Sequence, residues 1–498
     1  MTLRVYNTMA RAKEDLVPRE EGKLSIYTCG PTVYNHIHIG NARTFLSFDV
    51  IRRYLEYRGF DVRFVQNITD VDDKIINRAN EEGRPASEVA ADYTEAFVTA
   101  MHALGIKDPT VRPKATETIP QMIALIERLI EGGHAYDSDG DVYFAVRSFP
   151  GYGKLSGRDV EEMENQARIE PDSRKRDPLD FALWKSAKPG EPHWPSPWGE
   201  GRPGWHIECS AMAEMEFGLP FDIHGGGSDL IFPHHENEIA QSEAATGVTF
   251  ANYWLHGGML QVDSEKMSKS LGNFLLLKDV LAAYPVPVIR LLMLQTHYRS
   301  SLDYSTERLD EAATAHERIA NMIQTVRWAE SRPAAADGAP ATERESLEAA
   351  VAATRERFTA EMDDDFNTAG ALGAVFDLVR QANGFRSSNE AALSVADLGT
   401  LSAAADAVTE LMAVFGVTVD GVEEQAGLPA GVVQLAAELA GYAGADPAEA
   451  AEALLAARAS ARAERDWSRA DAVRDGLAAL GVTVADTATG ARVTVSGV

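Results

Sequence analysis

The apolar residues of "KLSIYTCG", Lys23 to Gly30, run together and stop at Gly-Pro, the pattern of a short buried strand. In the following segment, "NARTFLSFDVIRRYLEYRGF" from Asn41, Phe45, Phe48, Ile51 and Leu55 recur at helical spacing, and Gly59 stands where a C-cap belongs. "DVRFVQNI" then reads as a second strand. Strand, helix and strand in that order predict a βαβ unit of a doubly wound α/β fold, whose first loop is the usual nucleotide position.

The pattern changes between about 119 and 201. A helix is predicted at "MIALIERLIEGG" and a hairpin at "DGDVYFAV", followed by a basic, Pro-rich stretch that ends near "WPSPWGEGRP". Strand-and-loop patterning resumes at "GWHIECSAM" and "FDIHGGGSDL", so the intervening residues read as an insertion. After "YWLHGGMLQVDSEKMSKSLGNF" the chain becomes mostly helical, with a Pro/Ala/Gly linker near 331 to 343. There is no internal repeat and no Walker A motif.

A chain of 498 residues exceeds one simple core and suggests three or four domains. Neither a signal-peptide core nor an apolar run of membrane-spanning length occurs, which predicts a cytoplasmic protein with no membrane association. Acidic residues outnumber basic ones 75 to 47, a formal net charge of -28, so any nucleic-acid partner needs a local basic surface. Only two cysteines occur, Cys29 and Cys209, too few and too far apart in sequence for a disulfide framework.

Three constellations carry candidate chemistry. His234 and Glu238 stand at i and i+4, on one face of a predicted helix, and with the two cysteines they make a chemically reasonable tetrahedral zinc set. Buried thiols beside a solvated helix face account for the same residues. The pattern is not that of a metalloprotease helix, because Ile239 stands where His235 would need a histidine partner. "HIHIGN", His36 to Asn41, sits at the first strand's mouth and the helix start, where imidazoles and a helix N-terminus suit phosphate; two polar loop histidines are the plainer reading. "KMSKS", Lys266 to Ser270, places two lysines in a loop able to close over a polyphosphate, or else forms a solvated turn.

Together, "HIGN" and "KMSKS" on a βαβ frame resemble the two signatures of the class I aminoacyl-tRNA synthetases. The chain is most similar to the cysteinyl-tRNA synthetase family, through "YTCGPTVYNHIHIGNART", "NITDVDDKII", "GWHIECSAM", "FDIHGGGSDLIFPHHENEIAQSEA" and "KMSKSLGN". The similarity continues through "MDDDFNTAGALGAVFDLVR" and "RAERDWSRADAVRDGLAALGV". One departure is Asn41, where the family often carries histidine; an amide still donates a hydrogen bond.

The resemblance implies a Rossmann-type catalytic domain with an insertion, followed by α-helical C-terminal domains. It divides the chain into a first catalytic half (1–118), a connective insertion (119–201) and a second catalytic half with the zinc site (202–250). A KMSKS-bearing region (251–310), a helical tRNA-binding bundle (311–420) and a small anticodon-binding region (421–498) follow. It implies one Zn2+ held by Cys29, Cys209, His234 and Glu238. His38, Gly40 and Asn41 meet the ATP phosphates, Lys266 and Lys269 close over them, and the Gly225 to Asp229 loop, with Gly226 and Asp229, meets the ribose and adenine. Trp205 packs near the amino acid, while Asp70, Asp72 and Asp73 are expected to cap and turn rather than bind metal.

The implied reaction joins L-cysteine to tRNA(Cys) through an adenylate, with ATP and Mg2+, in a monomer without an editing domain. A related ligase that passes cysteine to an amino-sugar typically lacks the C-terminal anticodon-binding region found here. A catalytically silent relative is disfavoured by the intact signatures and ligand set.

Overall fold

The computed structural model describes residues 2–161, 174–262, 265–266, 275–336, 338–389, 393–419, 428–487 and 490–495. Its contacts divide the chain into two compact units, the first Met1–Thr314 with Glu356–Ala374 and Met412–Val417, the second Ala315–Arg355, Val375–Leu411 and Thr418–Val498.

The first unit begins with a hairpin, β1 (Arg4–Asn7) and β2 (Ala12–Asp15), and continues through β3 (Lys23–Thr28), α1 (Ile39–Tyr57) and β4 (Asp61–Gln66). The βαβ reading therefore holds, with α1 starting at Ile39, two residues before the expected start. The extension comes from a capping box: His38 and Asn41 satisfy each other's backbone N–H groups, so the helix begins inside "HIGN". Two helices, α2 (Asp73–Glu82) and α3 (Ala86–Ala103), follow, and α4 (Ile119–Glu131) opens the next stretch. Asp72 caps α2 by accepting from the Lys74 N–H at 2.9 Å, and Asp70 accepts from the backbone and hydroxyl of Thr116. Asp73 instead pairs with Lys185 and Arg202.

Strands β5 (Ala135–Ser138), β6 (Asp141–Phe144), β7 (Phe181–Ser186) and β8 (Gly201–Pro203) form an antiparallel sheet across the stretch expected as an insertion. Helix α4 packs its Met122, Leu125, Ile126 and Leu129 into the same core as Tyr27, Val65 and Trp254 of the parallel sheet. Past the insertion come α5 (Trp205–Phe217), β9 (Phe221–Gly227), α6 (Glu236–Thr246) and β10 (Ala251–Gly257).

Among the described residues the central sheet runs β10-β9-β3-β4 with every pair parallel. All seven residues of β9 are buried, as a strand covered on both faces requires. A three-stranded sheet, β12-β11-β13, follows from β11 (Leu260–Val262), β12 (Glu265–Lys266) and β13 (Leu302–Tyr304), with α7 (Leu277–Ala283) and α8 (Val286–Leu294) between the last two.

The remaining long helices are α9 (Thr306–Glu330), α10 (Ala341–Asp363), α11 (Thr368–Asn389) and α12 (Val395–Val414). In the second unit, α13 (Gly431–Ala440), α14 (Pro447–Ala463) and α15 (Trp467–Ala479) share a small core built on Val432, Leu454, Val473 and Leu477, beside the hairpin of β14 (Val482–Thr487) and β15 (Gly490–Val495). No helix among the described residues is long and apolar enough to cross a membrane.

Candidate metal and nucleotide site

Cys29 follows the last residue of β3, and its N–H donates to the Gly225 carbonyl of β9 at 3.2 Å. Gly30 comes next because the chain passes against Asn67: a Cβ there would lie 1.6 Å from the Asn67 carbonyl oxygen. Cys209 sits in the buried face of α5, His234 in the turn Ile231–His235, and Glu238 in the first turn of α6. The two sulfurs are 3.8 Å apart, Cys29 Sγ is 3.5 Å from Glu238 Oε1, and His234 Nε2 is 3.0 Å from the same oxygen.

All four side chains are buried and their ligand atoms lie within 4.8 Å of one another. Two thiolates each ~2.3 Å from a tetrahedral zinc stand ~3.8 Å apart, which is the separation found here, whereas a disulfide needs ~2.05 Å. The donor set and its spacing fit zinc.

A second overlapping set, Cys29, His224, His235 and Glu238, meets the same distance condition. It offers one thiolate instead of two; His235 Nε2 faces Cys29 Sγ at 3.3 Å, but both of its imidazoles are already tied to a neighbouring side chain. His224 of β9 lies 2.6 Å from Glu238 Oε2 and so orients the carboxylate from behind. His235 Nδ1 lies 2.8 Å from His256 Nε2, and His256 Nδ1 lies 2.8 Å from the Thr8 hydroxyl. His234 has comparable support, its Nδ1 being 2.9 Å from Nδ1 of His206 while its Nε2 faces Glu238.

The charges are arranged for a cation. Burial, reinforced by Cys209 and Glu238, pushes the Cys29 thiol up. Cys209 is drawn down to about 6, chiefly by the hydrogen bond from Cys29 and against the effect of burial. Burial alone would lower His234, yet Glu238 and Cys209 raise it to about 10. For Glu238 burial works upward and is overcome by His224 and His234, which hold the carboxyl well below its usual range. The cluster thus favours an anionic sulfur and carboxylate beside a proton on His234, and a divalent metal displaces such protons when it binds.

Trp205, the first residue of α5, stacks on His234 with ring centroids 4.2 Å apart and planes 28° from parallel. The Lys74 ammonium lies 5.8 Å from the Trp205 ring and 5.7 Å from that of Tyr34.

At the nucleotide end, the mutual bonds of His38 and Asn41 frame the N-terminus of α1, with Gly40 between them. The HIGN stretch pairs through backbone with residues 275–277, downstream of KMSKS in sequence: Ile39 donates to Leu275, Leu277 donates to Ile37, and His38 bridges Leu276. The backbone of Lys266 lies in β12, paired with Gln261 of β11. Lys269 and the side chain of Lys266 lie outside the described residues.

The expected loop from Gly225 is different in form. Gly225 to Gly227 finish strand β9, because β10 supplies ladder partners for all three and β3 for Gly225, and Ser228–Leu230 then turns. Close approach explains the glycines: a Cβ would come within 2.2 Å of the Phe48 ring at Gly225, 2.8 Å of His235 at Gly226 and 2.4 Å of the Asp229 carboxylate at Gly227. Asp229 itself is exposed.

The structure thus brings the four expected metal ligands together with Trp205, and puts His38, Gly40 and Asn41 on one helix end. Sequence reasoning missed His206, His224, His235 and His256; their visible signal was the density of histidines in "GWHIE", "FDIHGGG", "PHH" and "WLHGG".

Comparisons with known proteins agree over nearly the whole chain. Residues 15–314 match the family model of the class I (C) tRNA synthetase catalytic domain, 357–419 a DALR domain, and 445–493 a cysteinyl-tRNA ligase anticodon binding domain. A protein of Pelotomaculum thermopropionicum named "Cysteine--tRNA ligase" is 49% identical over 497 residues, covering 98% of this chain and 99% of its own. A protein of the same name from Geobacter metallireducens is 51% identical over 491 residues, with the same coverages. Among solved structures, Mycobacterium tuberculosis methionyl-tRNA synthetase with methionyl-adenylate superposes with a TM-score of 0.59 at 19% identity, covering 79% of this chain and 90% of that one. That likeness carries the fold alone.

Proposed function

The chain belongs to the cysteinyl-tRNA synthetase family, and from that premise we propose that it selects its amino acid through zinc held by Cys29, Cys209, His234 and Glu238. The reaction is the ligation of cysteine to tRNA at the expense of ATP. The observation that supports the selection device is the pair of buried sulfurs at 3.8 Å within reach of His234 and Glu238.

Serine differs from cysteine by one atom, and apolar pockets separate such near-isosteres poorly, by about 10 to 200-fold per methylene-sized difference. A zinc ion in this set supplies a soft Lewis acid that accepts a thiolate far better than a hydroxyl. The protein's own groups do the rest of the recognition. His224 and His206 hold Glu238 and His234 in place, and Trp205 walls one side by stacking on His234.

In the first step the cysteine carboxylate attacks the α-phosphate of ATP in line, and pyrophosphate leaves. The N-terminus of α1 turns the positive end of its dipole to the phosphates, and the side chains of His38 and Asn41 add donors there. Lys266 and Lys269 neutralise the departing pyrophosphate, with Mg2+ accompanying ATP; Gly226 and Asp229 at the end of β9 receive the ribose and adenine. In the second step a terminal ribose hydroxyl of tRNA(Cys) takes the cysteinyl group from the adenylate. Neither step needs a covalent enzyme intermediate, so positioning and charge carry catalysis.

The domain boundaries given above are retained, with the tRNA body on the helical region 311–420 and the anticodon on 421–498, supported by the match at 445–493. The protein acts as a cytoplasmic monomer. The test is ATP-dependent attachment of labelled cysteine to total tRNA, with serine as control and zinc measured on the same sample. Charging with cysteine alone supports the reading; cysteine activation without charging points to a small-molecule acceptor instead.

A further inference from the structure

Arg43 lies in the first turns of α1, two residues past Asn41, and only 1% of its surface is exposed. Its guanidinium is directed to four backbone carbonyls. Nη1 donates to Gly258 at 3.0 Å and Met259 at 2.7 Å, and Nη2 to His297 at 3.4 Å and Ser300 at 2.5 Å.

Those carbonyls belong to two places. Gly258 and Met259 immediately precede β11, while His297 and Ser300 lie in the turn that leads into β13. The strands pair in parallel from Leu260 with Leu302, and β12, which carries the backbone of Lys266, pairs with β11. The two roots are in contact where Arg43 reaches them: a Cβ at Gly258 would lie 2.4 Å from the Ser300 carbonyl oxygen and 2.6 Å from that of Arg299. The far side of the same turn is held by Asp365, which accepts from the Tyr298 hydroxyl at 2.9 Å and Arg299 Nε at 2.7 Å.

A buried cation is a costly way to fill space, and an apolar side chain of similar volume would serve packing at least as well. Burial pushes Arg43 down to about 10, so it remains charged at neutral pH. A planar fork that can meet several carbonyls at fixed angles is what arginine offers and lysine does not.

We propose that Arg43 is a positioning residue for adenylate formation, setting the phosphate-facing end of α1 against the roots of β11 and β13. This inference rests on the ligase reading and on α1 as the phosphate site. It acts on the ATP side of the reaction and leaves thiol recognition alone.

The test is cysteine-dependent ATP–pyrophosphate exchange by Arg43→Lys, Arg43→Met and Gly258→Ala, with zinc content and thermal unfolding measured on each. Misplacement of about 1 Å can cost on the order of 100-fold in rate, and that is the loss expected for Arg43→Met. Arg43→Lys should recover part of it, and both should show a raised KM for ATP with the KM for cysteine and the zinc content of the parent. Gly258→Ala wedges the two roots apart without touching a charge and should give the same ATP-side defect.

Parental ATP kinetics in folded Arg43 variants, or losses spread equally over ATP and cysteine, would overturn the proposal. If both Arg43 variants fail to fold, Gly258→Ala decides: an ATP-specific loss upholds it and parental kinetics overturn it. A parent protein without any exchange would remove the ligase reading as well.

Discussion

Asn41 donates its backbone N–H to Nδ1 of His38 at 3.2 Å, and the His38 N–H donates to Oδ1 of Asn41 at 3.3 Å. Because Nδ1 accepts, the proton of the neutral imidazole sits on Nε2. The same pair that starts α1 therefore sets the tautomer in which His38 can donate to a phosphate oxygen.

Two roles of His38 separate by substitution. His38→Asn keeps a good cap and should leave the unfolding temperature within a degree or two, yet slow ATP–pyrophosphate exchange on the order of 100-fold. His38→Ala should show the same slowing and lose about 1 kcal/mol of stability. Parental exchange rates in His38→Asn would reduce His38 to a cap.

The ion pair of Asp49 with Arg290 is fully buried in the first unit, at 2.6 Å, and Arg290 also donates to the Leu104 and Phe415 carbonyls. Asp49→Asn leaves the guanidinium without its counter-charge and should cost about 3 to 5 kcal/mol in denaturant unfolding. Replacing both residues by apolar ones should cost less than the single change. A single-variant loss below about 1 kcal/mol would show that the pair contributes little.

Asp73 gives a pH dependence outside the metal cluster. Burial alone would raise its pKa, but Lys185 and Arg202 outweigh it and hold the carboxyl below the ordinary value of 3.8. A carboxyl depressed in the folded state adds stability that is complete above the unfolded value and disappears as pH falls through the folded one. Hydrogen-exchange protection in β7 and β8, which carry Lys185 and Arg202, taken relative to the intrinsic rate at each pH, should therefore be flat from pH 7 to about 5 and fall below about 4. In Asp73→Asn the Asp73-dependent part of that fall should be missing, with protection already lower at pH 7.

The β3–α1–β4 unit was legible because its apolar positions follow two clean periods. Helix α1 nevertheless begins at Ile39, since a histidine cap lies outside the usual Ser, Thr, Asp and Asn signals. Spacing alone did not unite the metal ligands: Cys29 lies 180 positions from Cys209 and 209 from Glu238, so donor chemistry made them a reasonable set and resemblance assigned them. The supporting histidines were less visible still, because His224 and His256 sit inside strands where a buried imidazole reads like any core residue. Nothing in the sequence singles out Arg43, because the four carbonyls it meets lie more than 200 positions away.

The most direct measurement of the central claim is ATP–pyrophosphate exchange with cysteine and with serine, on protein as isolated, after zinc removal, and after zinc is restored. Cysteine activation should disappear with the metal and return with it, serine should stay inactive throughout, and Cys209→Ser should bind less than stoichiometric zinc. Continued preference for cysteine over serine in the zinc-free protein would contradict that claim.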